Sequence, residues 1–302
     1  MIALKYPRLL AAFQAQPWAI LPAKLEEMRA FLAFAASGGK LTAEEVQAAT
    51  GKSGGSSRAP GRIGLIQVFG SLCQRIGCLE ASGGTSYEEI SQGLDAFAAD
   101  PSIKTILLQI DSPGGSCYGL PELCDKIASI KTGGQSIVAI ADPLAASAAY
   151  WLGCCADKFH CTPSGMVGSI GCLMVHEDIS KYQGEVGLKT TLVSAGKYKT
   201  EATEYEPLGD EARARMQAVV DDYYAQFVRG VARARDVPAS TVRDGFGQGR
   251  MLTATEAKRE GMIDRLVSFQ DLVDDLHHNA GGTSASSLAP TVDMLCRELA
   301  LE

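Results

Sequence analysis

Alternation of apolar strand patterns with helical patterns, from residue 63 onward, is the feature that most constrains the fold of this chain. The apolar runs have the length and composition of buried strands, and the first three are IGLIQVFGSL, KTILLQIDS and QSIVAIAD. Helical periodicity lies between them, in SYEEISQGLDAFAAD and PELCDKIASIK. Because strand–helix–strand units of this length form right-handed crossovers, the alternation predicts an α/β fold with a largely parallel sheet.

The second half of the chain continues this alternation and then becomes mainly helical. We expect strands in DKFHCTP, in VGSIGCLMV and in KTTLVSAG (residues 189–196), with a helix in HEDISKYQGEVG. Apolar residues then recur every three or four positions over about 209–235, which predicts a long amphipathic helix. The stretch TATEAKREGMIDRLVSFQDLVDDL predicts a short helix, a turn at Gly261, a strand and a final helix.

Composition divides the chain into four parts. Residues 1–50 predict a helical N-terminal extension, because PAKLEEMRAFLAFAA has apolar residues at helical spacing and TAEEVQAA begins with a capping-box pattern. Residues 51–62, GKSGGSSRAPGR, have the composition of a flexible linker. We therefore place the main domain at 63–276 and a C-terminal tail at 277–302.

Charge and composition argue against several classes of protein. The formal net charge of −7 disfavours nucleic-acid and anionic-membrane binding. No apolar run approaches the roughly 18 residues of a membrane span, and no signal-peptide cleavage site follows the start, so we expect a cytoplasmic protein without a membrane anchor. The group Cys154, Cys155, His160 and Cys161 lacks zinc-site spacing, and we expect these to be core residues, with no metal and no cofactor.

Three turns at predicted strand ends contain the residues that could do chemistry. IDSPGGSC follows a strand directly, and its Gly114 and Gly115 leave backbone N–H groups free to form an oxyanion hole. ADPLAASAAYW places Ser147 at a helix start, where the N–H of Ala148 could be a second donor. VSAGKYKTE follows another predicted strand and contains Lys199. Ligands of parallel sheets bind at such strand ends, so these turns predict a site.

A nucleophilic serine needs a base, and the sequence offers two kinds of side chain for that role, a histidine and a lysine. His176, beside Glu177 and Asp178, is the most credible imidazole, and a Ser147–His176–Asp178 triad is one arrangement. A lysine is the other choice, since burial away from carboxylates lowers a lysine pKa enough for the neutral amine to act as a base. Composition and spacing alone favour a structural interpretation, in which Ser147 and Lys199 have no catalytic role, over a Ser–Lys dyad.

Five motifs in series resemble the signal peptide peptidase A family of serine peptidases. They are GLIQVFG, ILLQIDSPGG, AASAAYWL, VGSIGCL and GKYK, and the resemblance extends over about residues 63–267, including GRMLTATEAKREGMIDRL. The resemblance implies a crotonase-like, caseinolytic-protease-like superhelix of βαβ units, assembled as a homo-oligomeric ring. Ser and Lys of the active site can come from neighbouring subunits in such rings.

The resemblance also implies roles for individual residues. Ser147 matches the nucleophile and Lys199 the general base, which together form a Ser–Lys dyad. Gly114 and the N–H of Ala148 match the oxyanion hole, with Gly115 in a supporting place, and Ser169 matches the serine that orients the lysine. This sequence departs from the family pattern in having Ala148 and Ala149 after the nucleophile, where glycines are common.

The helical extension and the lack of a membrane anchor resemble the phage and prophage branch, the head (capsid) maturation proteases. The implied function is a serine endopeptidase that cleaves capsid, portal or scaffold proteins in the host cytoplasm or the prohead, with no nucleic-acid partner. Two alternatives remain open. One is a non-catalytic capsid or scaffold-binding protein that keeps the fold, and the other is a crotonase-type acyl-thioester enzyme.

Overall fold

A computed structural model describes residues 16–36, 54–59, 62–75 and 84–279 of the 302-residue chain. The strands are β1 Trp18–Ile20, β2 Gly55–Ala59, β3 Ile63–Phe69, β4 Ser71–Cys73, β5 Gly84–Ser86, β6 Thr105–Ser112, β7 Gly114–Ser116, β8 Ser136–Ala146, β9 Lys158–Cys161, β10 Met166–Gly168, β11 Met251–Thr253 and β12 Arg265–Leu266. The helices are α1 Pro22–Ala36, α2 Tyr87–Ala98, α3 Leu120–Thr132, α4 Ala148–Cys154, α5 Ser180–Glu185, α6 Asp210–Arg235, α7 Ala239–Asp244, α8 Ala254–Arg259 and α9 Phe269–Asn279.

The large sheet has the order β11-β10-β8-β6-β3-β2, with β9 and β12 continuing from β8. Neighbouring strands β3, β6, β8 and β10 are parallel, and β2 and β11 close the two edges in antiparallel pairs. Helix α2 connects β5 to β6, and α3 connects β7 to β8. The α/β fold built from parallel βαβ units is therefore confirmed.

A second, smaller sheet has the order β1-β7-β4-β5. Its strands are three residues long, and β7 comes directly after the turn that ends β6. The edge strand β1 belongs to the N-terminal extension and pairs antiparallel with β7, with Trp18 opposite Ser116 and Ile20 opposite Gly114. This small sheet attaches the extension to the main domain at the end of β6.

Helix α2 begins where the sequence predicts. Ser86 caps α2 in a complete capping box with Glu89, which satisfies N–H groups that a helix start otherwise leaves unpaired. The long helix α6 packs its C-terminal half on α4, where the ring of Phe227 stacks on Trp151 at 5.0 Å between centroids. Gly230 makes this approach possible, because a Cβ there would collide with the Trp151 indole.

Several predictions differ from the structure. Of the predicted strand VGSIGCLMV, only the first two residues belong to a strand, because β10 ends at Gly168, and the helix predicted in HEDISKYQGEVG is confined to α5. Gly55–Ala59, within the predicted linker, form the edge strand β2, because pairing with β3 satisfies their backbone groups despite a polar sequence. Residues 189–196 form no strand, since they are exposed and have no ladder partner among the described residues. The extension is not purely helical, because β1 precedes α1.

Some predictions lie outside the described residues, namely the second N-terminal helix in TAEEVQAA and the tail beyond residue 279. Within the described ranges, no helix has the length and hydropathy needed to cross a membrane.

Candidate active site

Three parallel strands end side by side where the predicted site residues lie. In the register of the large sheet, Ser112 of β6 is opposite Ala145, and Ala146 of β8 is opposite Gly168 of β10. Ser147 and Ser169 each come one residue after that last pair. The structure therefore brings the SPGG turn, Ser147 and Ser169 together at one edge of the sheet.

Ser147 has a strained backbone at the junction between β8 and α4. Its φ of 55° and ψ of −117° lie in a region that residues with a side chain seldom adopt. The conformation is held by the Ser147 N–H, which donates to the Gly168 carbonyl at 2.7 Å, and by the Trp151 N–H, which donates to the Ser147 carbonyl at 3.1 Å. A strained serine between a strand and a helix is the arrangement of a nucleophile elbow.

The hydroxyl of Ser147 lies in an enclosed, mainly apolar place. The residue is 0% exposed, and its Oγ donates a long hydrogen bond of 3.4 Å to the Gly171 carbonyl. Ala146 and Ala148 beside it are also fully buried. A hydroxyl shielded from water and weakly bonded is well placed to react if a base reaches it.

The SPGG turn lies directly against Ser147. Gly114 has a φ of +96°, and a Cβ built on it would lie 3.0 Å from the Ser147 Cβ, so this position requires glycine. Its N–H donates to the Ser112 hydroxyl at 3.2 Å. Gly115 packs on the backbone of Leu72, where a Cβ would not fit. Beside the turn, burial and the neighbouring Asp142 raise the pKa of Asp111.

Ala148 and Ser169 lie where the sequence places them. Ala148 is the first residue of α4, and N–H groups in a first helical turn have no partner within the helix. Ser169 is buried with a φ of 56°, and its N–H donates to the Arg250 carbonyl at 2.9 Å. Ala148 therefore follows Ser147 directly, and Ser169 lies beside it at the end of the neighbouring strand β10.

Lys199 lies apart from this cluster, on an excursion of the chain that we define as residues 180–202. Two contacts close the base of the excursion: Ile179 N–H donates to the Glu204 carbonyl at 2.8 Å, and His176 Nε2 lies 3.1 Å from the Thr203 carbonyl. Lys199 is exposed at a turn in which its N–H donates to the Gly196 carbonyl. No hydrogen bond joins Lys199 to Ser147 within the described chain.

The histidine alternative has other partners. His176 contacts the Thr203 carbonyl, and the Asp178 carboxylate accepts from the Ser180 N–H at 2.9 Å. Hydrogen bonds from the Ser180 hydroxyl and from the Ser180 N–H lower the Asp178 pKa. Neither residue is hydrogen bonded to Ser147 among the described residues. The Ser147–His176–Asp178 arrangement is thus not formed.

The cysteine and histidine group belongs to the core. Cys154 and Cys161 are fully buried, and burial raises the pKa of each thiol to about 12. The Cys155 thiol donates to the Trp151 carbonyl at 3.3 Å. Across the described ranges, no three His, Cys, Asp or Glu side chains converge in a way that would hold a metal ion.

Sequence reasoning missed the N-terminal strand that lies over the site. Trp18, Ala19 and Ile20 are at most 2% exposed and run between the SPGG turn and residue 173. The sequence contains only a weak signal for this, a short apolar stretch between Pro17 and Pro22. A three-residue strand has too little periodicity to be recognised, and its partners lie about a hundred residues away.

Comparisons with known proteins match this chain to a peptidase family and to proteins of phages. Residues 130–282, about half of the chain and including Ser147 and Lys199, match the model for peptidase family S49. The chain is 29% identical to the capsid assembly protease C of Escherichia phage lambda over 79% of this chain and 56% of that protein. It is 27% identical to the head-tail preconnector protein GP5 of Enterobacteria phage P21, over 76% of this chain and 46% of that protein.

The chain thus spans about half the length of these curated relatives. Among solved structures, a point mutant of ClpP1 from Listeria monocytogenes overlaps 69% of this chain and 94% of its own, with 14% identity and a TM-score of 0.43. On the strength of the family match, this chain belongs to peptidase family S49.

Proposed function

We propose that this chain is a serine endopeptidase in which Ser147 is the nucleophile and Lys199 the general base. The observation that carries the proposal is the strained, buried Ser147 held against the glycine turn at the ends of three parallel strands. Strain of this kind is maintained only where the surrounding structure enforces it, and it concentrates at functional sites. The family match supports the same chemistry.

The chemistry follows from the arrangement. The Ser147 Oγ attacks the carbonyl carbon of a peptide bond and gives its proton to the neutral Lys199 amine. The oxyanion that forms is bound by the N–H groups of Gly114 and Ala148, with the Gly114 N–H released from its hydrogen bond to Ser112. Protonation of the leaving amine by Lys199 breaks the peptide bond, and water then hydrolyses the ester on Ser147.

The lysine would come from a neighbouring copy of this chain. Ser147 is buried within its own chain, while Lys199 is exposed on the excursion and has no hydrogen bond to Ser147 among the described residues. This supports a lysine that is supplied across a subunit interface. The excursion also carries six of the nine large apolar side chains that are exposed on the described residues; these are Tyr182, Val186, Leu188, Leu192, Val193 and Tyr198. Apolar surface concentrated in this way favours burial at an interface.

The substrates that we infer are proteins of the phage head, namely capsid, portal or scaffold proteins. Support comes from the names of two relatives, a capsid assembly protease and a head-tail preconnector protein. We place the cleavage within the host cytoplasm or the forming prohead. Homo-oligomeric assembly, as a ring, belongs to the same proposal.

The test is to express the chain together with the capsid, portal and scaffold proteins from the same genome and to map the cuts by mass spectrometry. Ser147→Ala should lower cleavage by about 10³-fold or more, because the nucleophile is lost. Ser164→Ala is the matched control, since Ser164 is exposed on a nearby turn, and it should cleave like the parent. Equal cleavage by Ser147→Ala and the parent would contradict the proposal, and normal head assembly with no cleavage at all would favour the non-catalytic alternative.

A further inference from the structure

The N-terminal strand segment, which we define as residues 16–21, lies in the cleft beside Ser147 and is hydrogen bonded along both edges. On one edge the Leu21 N–H donates to the Pro113 carbonyl at 2.9 Å, and the Cys117 N–H donates to the Pro17 carbonyl at 3.1 Å. On the other edge Trp18 and Leu173 exchange two bonds, of 2.8 Å and 2.9 Å. A peptide captured by strand addition is bonded through its backbone in this way.

The segment covers the candidate nucleophile. Ala19 is fully buried, and its carbonyl oxygen lies on the same face of Gly114 as the Ser147 Cβ. The Gln16 side chain accepts a hydrogen bond from the Ser116 hydroxyl at 3.0 Å. An extended peptide therefore could not reach the cleft between the SPGG turn and Leu173 while the segment is there.

The segment and α1 are attached largely through the walls of the cleft. Trp18, Ile20, Leu25 and Met28 form a small apolar cluster of their own, against Leu173 and Val175, separate from the main core. Beyond it, α1 is held by the exposed ion pair of Arg29 with Glu177, at 2.6 Å. Within the segment, Ala19 belongs to the main core, so displacement of the segment would remove a single small side chain from that core.

We propose that residues 16–21 are an internal occupant of the peptide-binding cleft, which keeps Ser147 closed until the segment is displaced. The inference rests on the proposed function and adds a regulation to it. It also identifies the class of ligand for the cleft, an extended peptide bonded on both edges with an apolar residue where Trp18 lies. A tethered occupant has a high effective concentration, so a free peptide competes poorly until the tether is weakened.

The first experiment measures binding, in chains that carry Ser147→Ala so that no cleavage occurs. The probe is a fluorescein-labelled peptide with the sequence of residues 15–22, AQPWAILP, followed by fluorescence anisotropy. Ala19→Glu places a charge at a buried position and should raise the affinity for the probe about 10-fold or more. Ala23→Glu makes the same change at an exposed position next to the segment and should leave the affinity at the parent value.

Trp18→Ala is the second variant, because it removes the apolar anchor without adding a charge. It should raise probe affinity in the same direction as Ala19→Glu but by less, with the thermal unfolding transition retained. Equal probe affinity in the parent, Ala19→Glu and Trp18→Ala would overturn the inference. Loss of the unfolding transition in both variants would also overturn it, since the segment would then be a permanent part of the fold.

The second experiment separates this inference from the proposed function. With Ser147 intact, a fluorophosphonate probe should label Ala19→Glu about 10-fold faster than the parent, and excess AQPWAILP peptide should reverse the gain. If the variants bind the peptide probe as expected but none is labelled, the inference that residues 16–21 occupy the cleft stands and the proposed serine peptidase function is contradicted. If the parent and Ala19→Glu are labelled equally fast, Ser147 remains the proposed nucleophile and the inference that residues 16–21 occupy the cleft is contradicted.

Discussion

The surroundings of Ser147 and the excursion that carries Lys199 are built in opposite ways. Ser147 lies at the end of β8, a central strand, among alanines that are fully buried. The excursion leaves the domain at residue 180, returns at 202 and exposes nearly all of its side chains, including a Val193 that is 95% exposed. One region is thus fixed by the core of its own chain, and the other has little to fix it within that chain.

This difference separates the two halves of the proposed dyad. The position of the nucleophile follows from strand register, because Ala146 pairs with Gly168 and the chain must then turn into α4. The position of the base has no comparable restraint in the single chain. If the proposed dyad is correct, activity requires a second element that brings Lys199 to Ser147, and the proposed assembly would supply that element.

The largest expected effect is on catalysis. Lys199→Ala should lower cleavage by about 10²–10⁴-fold, the usual contribution of a general base. Lys197→Ala is the matched control, because Lys197 is two residues away, equally exposed and bonded to Glu211, and it should retain activity. Retained cleavage in Lys199→Ala would exclude this lysine as the base.

Mixing experiments extend the same prediction to assembly. Chains with Ser147→Ala and chains with Lys199→Ala are each inactive, but a co-assembled mixture should recover roughly a quarter of the parent rate, the share of interfaces that join an intact serine to an intact lysine. A mixture that stays inactive, although it co-assembles by native mass spectrometry, would place both residues of the dyad in one chain.

An intermediate effect is expected on stability. Gly230→Ala should lower the free energy of unfolding by about 1–3 kcal/mol, because the added methyl group collides with Trp151 of α4. Gly184→Ala, on the excursion, meets nothing within 4 Å and should cause no loss. Denaturant unfolding of both variants measures the contrast. Equal losses would mean that the excursion is packed as tightly as the core.

The smallest effect concerns acid stability. Burial opposes ionisation of Asp264, but hydrogen bonds from Arg235 and from the Phe159 N–H outweigh it and hold its pKa below the usual range. A lowered pKa contributes stability above the ordinary value of about 3.9, and that contribution is lost as pH falls through the folded value. Asp264→Asn should therefore flatten the fall of the unfolding midpoint in acid.

The exposed ion pair between the excursion and α6 provides the control for this titration. Lys197 and Tyr198 lower the pKa of Glu211 through hydrogen bonds, yet both members of the Lys197–Glu211 ion pair are about two-thirds exposed. Solvent screens such pairs, so Glu211→Gln should leave the midpoint unchanged at every pH. If Glu211→Gln changed the pH dependence of the unfolding midpoint as much as Asp264→Asn does, the contrast between the two regions would be contradicted.

Local patterns predicted much of the main domain. The helix starts at Ser86 and Pro121 are set by short-range capping and proline geometry, and the parallel strands follow from apolar runs that alternate with helices. Even the neighbourhood of Ser147, Gly114 and Ser169 could be predicted, because each follows a strand and parallel strands end at one edge. The proposed roles of these residues stay predictions.

The sequence by itself determined which segments form the parallel sheet and which serine stands at its edge, because burial and capping act over a few neighbouring residues. Only the tertiary structure decided that Gly55–Ala59 become a strand, that residues 189–196 do not, and that residues 16–21 lie between the SPGG turn and Leu173. Those outcomes depend on backbone hydrogen bonds to partners distant in sequence, and a strand of three to five residues has no local pattern that identifies such partners.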